Sequence, residues 1–143
     1  MTLRDYPAVY QLWSETPGVD LTRADEFVDI ERFLKRNPES SAVAFDGERL
    51  IGAVLCGHDG RRGFLHHLAV DPEYRRMGIG RNLVDICLAS LQSQGIEKCH
   101  LFIRKDNVSG LEFWKASGWA ERITLTMASR TLDPDSPDDP DSC

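Results

Sequence analysis

The 143-residue chain lacks a long apolar run, a signal-like N-terminus and an excess of positive charge. A membrane-spanning helix needs about 20 consecutive apolar residues. Arg4, Asp5 and Glu15 interrupt the stretch where a signal peptide would lie. The net charge of −6 is opposite in sign to that of most nucleic-acid-binding domains. These absences predict a soluble, cytoplasmic protein that contacts neither membrane nor nucleic acid.

The four cysteines show neither a C-x-x-C pair nor the spacing of zinc ligands; they are Cys56, Cys87, Cys99 and Cys143. Three of them lie inside apolar runs, which is typical of buried thiols in a reducing compartment. We therefore expect idle thiols and no metal site.

The C-terminal segment, residues 132–143, is a run of aspartates broken by prolines. Such a segment has almost nothing to bury, so it is predicted to be a disordered tail, with a functional acidic arm as the alternative. Residues 1–131 then form one domain, which is long enough to bury a core without disulfides or metal.

Hydrophobic spacing predicts the element order α, α, β, β, β, α, β, α, β. The predicted helices cover residues 3–14, 24–36 and 80–94, with a fourth short helix capped by Asn107. The predicted strands cover residues 41–45, 50–57, 64–70 and 99–104, with closing strands within residues 119–129. The expected fold class is α+β, with flanking helices on a mixed, mostly antiparallel sheet.

The most informative stretch is the turn between the third strand and the helix that follows it. Gly78 and Gly80 let the backbone approach an anion without a Cβ in the way. The first helical turn offers unpaired N–H groups and a partial positive charge. Arg75, Arg76 and Arg81 can grip phosphate oxygens from the rim. The turn is therefore predicted to bind a diphosphate, the alternative being a glycine-rich loop with solvated arginines.

Two motifs in this region resemble those of one enzyme family. Residues 68–72 (LAVDP) and 75–80 (RRMGIG) resemble the signature of the GNAT superfamily of N-acetyltransferases, in particular its small bacterial single-domain members. The second motif of that family is similar to the residues Asn107, Phe113, Trp114, Gly118 and Trp119. The resemblance extends from about residue 6 to residue 130.

The resemblance implies that the protein transfers the acetyl group of acetyl-coenzyme A to a primary amine by direct attack on the thioester. The co-substrate would lie in a splayed cleft between strands 64–70 and 98–104. The backbone of Leu68, Ala69 and Val70 would pair with the pantetheine arm, and Asn107 would hydrogen-bond it. The pyrophosphate would lie on the turn made of Arg75, Arg76, Met77, Gly78, Ile79, Gly80 and Arg81. The acceptor would be a small molecule or a peptide, and the protein a monomer or homodimer.

Two family positions are altered, and both concern proton transfer. Trp114 stands where relatives commonly have a tyrosine that protonates the departing thiolate, and an indole N–H cannot act as an acid near neutral pH. Its ring either contacts the thioester or packs in the core. Phe102 and Phe64 stand where relatives place a glutamate base. His66 is the candidate base, because imidazole titrates in the useful range and strand alternation places it on the face of Phe64, opposite to His67. A water-mediated base and an acceptor amine of low pKa are the alternatives.

Three functions are thus open. An N-acetyltransferase is the leading one, a non-catalytic acyl-CoA-binding or sensor domain of the same fold is the second, and a protein interaction module is the third. Family members usually begin with a strand before the first helix, and Met1–Leu3 is too short to form one. The first strand of the fold is therefore expected to be missing.

Overall fold

The computed structural model describes residues 1–133 and 135. The predicted acidic tail, and Cys143 with it, lies almost entirely outside these residues. The amino group of Met1 donates a hydrogen bond of 2.9 Å to the carbonyl of Ser41. No strand precedes the first helix within the described part of the chain.

The described chain folds into helices α1 (Tyr6–Ser14), α2 (Phe27–Arg36), α3 (Ile79–Ser93) and α4 (Val108–Ala116). Its strands are β1 (Ala42–Asp46), β2 (Arg49–His58), β3 (Gly63–Val70) and β4 (Cys99–Leu101). They form one sheet in the order β1-β2-β3-β4, with antiparallel neighbours except for the parallel pair β3 and β4. The predicted α+β class with a mixed, mostly antiparallel sheet is confirmed. No helix of the described residues is long and apolar enough to cross a membrane.

The two faces of the sheet pack against different helices. Along β2, Val54 and Cys56 join a buried cluster with α3, whereas Ala53 and Leu55 join a cluster with α1 and α2. This alternation is the two-residue period of an extended strand. The sheet is therefore the middle of three layers, and its central strands are buried on both faces.

A bulge interrupts β3 near its centre. Leu55 of β2 pairs with His66, but Ala53 pairs with Ala69, so β3 has one residue more than β2 between these two pairs. His67 lies in that interval, and its φ of 53° is left-handed. Residues with a Cβ rarely adopt this conformation, and bulges of this kind are common beside active sites.

The bulge changes the direction of one predicted side chain. The ring of His66 contacts Phe33 of α2, with centroids 6.2 Å apart, and the ring of His67 contacts Trp13 of α1 at 5.2 Å. The two imidazoles lie 6.4 Å from each other. The prediction that they occupy opposite faces is wrong, because the left-handed residue breaks the alternation and leaves both on the α1/α2 side.

The closing strands predicted within residues 119–129 are absent from the described structure. Ile123, Leu125 and Met127 alternate along this segment, but a strand also needs a paired backbone. Here the N–H of Leu125 bonds to the carbonyl of Arg122 in a turn, at 3.1 Å. Ile123 is 85% exposed and Leu125 71%, so the apolar pattern of this segment is not used to cover the sheet.

Candidate functional site

An opening separates β3 from β4 at their C-terminal ends. The parallel ladder joins Gly63–Leu65 to Cys99–Leu101 and stops there, while β3 continues to Val70. The strand predicted over residues 99–104 is thus shorter than expected. The edge of β3 beyond Leu65 has no strand beside it on that side in the described part of the chain.

The backbone of β3 is available at this open edge. The N–H of Asp71 bonds to the carbonyl of Ile51 in β2 at 2.8 Å. Because alternate strand residues direct their backbone groups to opposite edges, Leu68 and Val70 present theirs to the opening. The carbonyl of Val70 there accepts a hydrogen bond of 3.2 Å from Nε of Arg75. An extended amide-containing chain could add to this edge as a strand does.

The loop between β3 and α3 is shaped by two left-handed residues, Arg76 with φ 62° and Gly78 with φ 79°. Gly78 is also the N-cap of α3, a helix of 15 residues. The N–H groups of Ile79, Gly80 and Arg81 have no hydrogen-bond acceptor among the described residues. Free N–H groups at the positive end of a helix dipole favour an anion. The loop therefore has the backbone geometry of a phosphate site.

Positive side chains surround this loop without acidic partners. Arg75, Arg76 and Arg81 form no ion pair with any carboxylate of the described residues. Arg81 instead donates a hydrogen bond of 3.2 Å to the carbonyl of Ala116, which ties α3 to the end of α4. Met77, between the arginines and Gly78, is 67% exposed. Three cations held near free N–H groups suit a ligand with more than one negative charge.

Asn107 occupies the N-cap of α4. Its Oδ1 accepts hydrogen bonds from the N–H of Gly110 at 3.0 Å and from Oγ of Ser109 at 3.3 Å. Its Nδ2 donates no hydrogen bond within the described residues and lies so close to Gly18 that a Cβ there would be 2.7 Å away. The capping role predicted for Asn107 is confirmed, and a free amide donor remains.

Trp114 packs inside α4 and the chain that follows it. Its ring contacts Phe113 at 5.0 Å and Trp119 at 5.2 Å between centroids. It also packs against the buried cluster beneath α3. A carbon of Phe113 in turn lies 3.5 Å from where a Cβ on Gly80 would be. Trp114 thus belongs to an aromatic group that joins α4 to the loop of α3.

His66 lies among aromatic rings. It stacks on Phe64 with centroids 6.3 Å apart, and Phe64 stacks on Phe102 at 6.4 Å. Burial lowers the pKa of His66, and the neighbouring His67 lowers it further. The imidazole of His66 is therefore held in its neutral form near pH 7, without a hydrogen-bond partner in the described structure.

The sequence did not point to Asp25, which the fold brings to His67. Asp25 is only 5% exposed, and its Oδ1 lies 2.7 Å from Nε2 of His67. The other carboxylate oxygen accepts hydrogen bonds from the N–H of Thr22 at 2.8 Å and from its hydroxyl at 3.3 Å. A capping box, with threonine three residues before an acidic residue, is a readable signal for the turn that holds Asp25. Nothing local connects that turn to His67.

The ionisation of Asp25 follows from these contacts. Burial alone would raise the pKa of this carboxyl group, but hydrogen bonds from His67 and Thr22 lower it more, so the pKa lies below its usual value. Asp25 is then a carboxylate at neutral pH. Among the described residues, no three His, Cys, Asp or Glu side chains are grouped as a metal site.

The sequence matches the acetyltransferase (GNAT) family over residues 6–119, more than half of the chain, and the protein belongs to that family. An acetyltransferase of Pectobacterium atrosepticum is 31% identical over 131 residues, which cover 90% of this chain and 91% of that protein.

Solved structures agree on the fold. Ard1 from Thermoplasma volcanium superposes with a TM-score of 0.73 and 24% identity, covering 84% of this chain and 79% of that one. The PaiA N-acetyltransferase from Thermoplasma acidophilum, solved in complex with coenzyme A, superposes with a TM-score of 0.68 and 18% identity. The match covers 81% of this chain and 84% of that one. The resemblance to the family is confirmed, and family membership supports an acyltransferase with a coenzyme A site.

Proposed function

We propose that this protein transfers the acetyl group of acetyl-coenzyme A to a primary amine of a small molecule or a peptide. The observation that supports it best is the loop before α3, where free N–H groups and arginines without acidic partners meet the open edge of β3. A diphosphate joined to an extended amide chain fits both features at once. The coenzyme A complex of the PaiA relative agrees with this choice of ligand.

In this proposal the co-substrate extends along β3 and ends at the loop. The backbone of Leu68 and Val70 binds the pantetheine arm, while Ala69 between them pairs with β2, and the free amide donor of Asn107 contributes a further hydrogen bond. The pyrophosphate is held by the loop and first helical turn formed by Arg75, Arg76, Met77, Gly78, Ile79, Gly80 and Arg81. Trp114 stands behind this loop, where its packing holds α4 against α3.

The chemistry is an acyl transfer by direct attack. The lone pair of the neutral amine attacks the thioester carbonyl, and backbone N–H groups near Ala69 and Val70 stabilise the oxyanion. The C–S bond then breaks. A thiol with a pKa near 8.5 is a tolerable leaving group. The thiolate can therefore take its proton from water, since the indole N–H of Trp114 cannot donate one. Most of the acceleration comes from positioning the reactants.

His66 is the base that the sequence nominates, and the proposed function does not depend on that assignment. Its neutral imidazole could accept a proton from the amine, although the surrounding rings of Phe33 and Phe64 disfavour the charged form that results. Replacing His66 by glutamine should change the pH dependence of the rate if it is the base.

A thiol-release assay with acetyl-CoA and a panel of peptides, polyamines, aminoglycosides and amino acids tests the function. We expect release with at least one amine class and a higher melting temperature with acetyl-CoA. Arg76→Ala should weaken coenzyme A binding, whereas Arg61→Ala, which removes an exposed arginine outside the loop, should not. Binding without thiol release would favour the sensor domain, and the absence of thermal protection would refute the proposal.

A further inference from the structure

His67 holds an unusual backbone conformation that its surroundings maintain. Of the non-glycine residues in the described strands, only His67 has a left-handed φ. Strained residues persist where neighbouring groups hold them, and they are common at catalytic sites. The groups that hold His67 come from two other elements, namely Asp25 from the turn before α2 and Trp13 from α1.

The carboxylate of Asp25 fixes how the imidazole of His67 can react. Both oxygens of the carboxylate are acceptors already engaged, one with His67 and one with Thr22. Nε2 of His67 must therefore be the nitrogen that carries the proton, since an ionised carboxylate can only accept. Nδ1 is then a free lone pair, and no described residue hydrogen-bonds to it. The side chain of His67 is 20% exposed, so a ligand can reach it.

A second feature beside this ring is the buried indole of Trp13. The indole Nε1 of Trp13 is buried without a hydrogen-bond partner in the described structure, and the whole residue is 0% exposed. Buried donors are nearly always satisfied by protein, water or ligand. The ring of Trp13 meets the His67 ring edge-on at 5.2 Å.

The position along β3 connects this pair to the reaction. His67 immediately precedes Leu68, the first residue whose backbone faces the open edge. His66, the other histidine on this side, lies among aromatic rings and has no carboxylate partner. A neighbouring carboxylate stabilises the imidazolium that forms when histidine accepts a proton. Of the two rings, that of His67 is therefore the better equipped to act as a base.

We propose that His67, oriented by Asp25, is the general base of the acetyl transfer, and this inference rests on the function proposed above. An acceptor amine that enters as an ammonium ion gives one proton to Nδ1 of His67. Its lone pair then forms the C–N bond to the thioester carbonyl carbon, and the C–S bond breaks. The thiolate ends with the second proton of the nitrogen, passed through water. His67 returns its proton to solvent, so the products are the amide, the free thiol and one released proton.

The titratable groups around His67 are few in the described chain. Asp25 faces it from the turn, and His66 adjoins it on β3. From α1, Tyr6 donates a hydrogen bond of 2.9 Å to the backbone carbonyl of Asp25, and Glu26 lies next to that pair. Asp25 is the positioning residue, because it contacts the base and not the substrate.

The test is the pH dependence of kcat/KM in matched histidine variants. His67→Gln should lower kcat/KM about 10²–10⁴-fold and abolish the acidic limb of the profile, while the Kd for coenzyme A stays within about twofold. Asp25→Asn should lower kcat and shift the acidic limb of the pH profile, because the amide of asparagine can favour the His67 tautomer that carries its proton on Nδ1. His58→Gln, at a half-buried histidine at the end of β2 whose ring bonds to Gln94, is the control that keeps the wild-type profile.

The outcomes separate this inference from the proposed function. Wild-type protein that releases no thiol with any amine refutes the function itself. Active protein in which His67→Gln keeps the acidic limb, or in which His66→Gln removes it, overturns the role of His67. Nitrogen NMR of the imidazoles gives an independent readout. In the neutral imidazole of His67 we expect the proton on Nε2 and not on Nδ1. Asp25→Asn should remove this preference, and the opposite tautomer in the wild-type protein would contradict the inference.

Discussion

Replacing Gly52 by valine tests whether the position of the α3 N-terminus controls coenzyme A binding. Gly52 lies on β2 directly beneath the first turns of α3. A Cβ at this position would be 3.0 Å from Cδ1 of Leu83 and 3.3 Å from Cγ2 of Ile79. Ile79 is the first residue of α3, and its N–H is one of the free donors of the loop. A larger side chain at Gly52 therefore displaces the part of the helix that faces the phosphate.

The expected magnitude follows from this packing. Overfilling a packed interior costs about 1–3 kcal/mol, reduced by roughly 0.5–1 kcal/mol because glycine is itself unfavourable inside a strand. A hydrogen bond to a charged group contributes about 1.5–3 kcal/mol. Misalignment of one N–H at the pyrophosphate should therefore raise the Kd for coenzyme A about tenfold or more.

Gly63→Ala is the matched control, because it overfills the same sheet-to-helix layer at the other end of α3. A Cβ at Gly63 would overlap Cδ1 of Leu91, in the last turns of the helix, and lie 3.1 Å from Cδ2 of the same side chain. Calorimetric titration with coenzyme A and urea unfolding should show lower stability in both variants and weaker binding in Gly52→Val alone. Equal weakening in both, or a destabilised Gly52→Val with a wild-type Kd, would refute the reasoning.

Three further predictions follow from the charges and thiols. The Kd for coenzyme A should rise between 0.05 and 0.5 M salt because the arginines of the loop are exposed to screening, and Arg76→Ala should reduce the slope measured by titration. Although burial opposes it, the lowered pKa of Asp25 means that its stabilising contribution is complete above its unfolded pKa of 3.8 and is lost as the pH falls through the lower folded value. The urea midpoint of Asp25→Asn should therefore depend less steeply on pH in that acidic range than the midpoint of the wild-type protein, and an unchanged dependence would contradict the assignment. In a Cys143→Ser background, a thiol reagent at pH 8 should label the native protein slowly. Cys56 and Cys87 are buried, with the pKa of Cys56 raised by its contact with Cys87 and by burial, and burial raises the pKa of Cys99 to about 12.

The loop before α3 was predictable because its signals are local. A strand was expected to end at Val70 and a helix to begin near Gly80, and the structure ends β3 at Val70 and begins α3 at Ile79. Glycine tolerates the left-handed φ that Gly78 adopts. Helical spacing alone would place Ile86 in the buried stripe of α3 with Leu83, Cys87 and Leu91, but Ile86 is 56% exposed. The burial of a residue at the margin of such a stripe depends on how the helix is rotated against the sheet.

The histidine pair could not be predicted, since it depends on long-range contacts. The extra residue of β3 exists only in relation to the register of β2, and register is set by pairing across strands rather than by the sequence of one strand. Asp25 and His67 are separated by 42 residues. Simple alternation therefore assigned His67 to the wrong face. Residues 119–129 show the converse, since strands were predicted there and no paired backbone forms in the described chain.

The bulge in β3 allows one strand to serve two purposes. Leu65 packs toward α3, both histidines face α1 and α2, and Leu68 and Ala69 then resume the alternation toward α3 and α1/α2 respectively. In an unbroken strand His67 would point into the α3 cluster, where no carboxylate lies among the packed residues. A left-handed backbone costs about 1–2 kcal/mol for a residue with a Cβ, and the buried hydrogen bond to Asp25 can offset a cost of that size. The bulge is therefore the feature that places His67 beside Asp25 and next to the open edge of β3, as the proposed role of His67 requires.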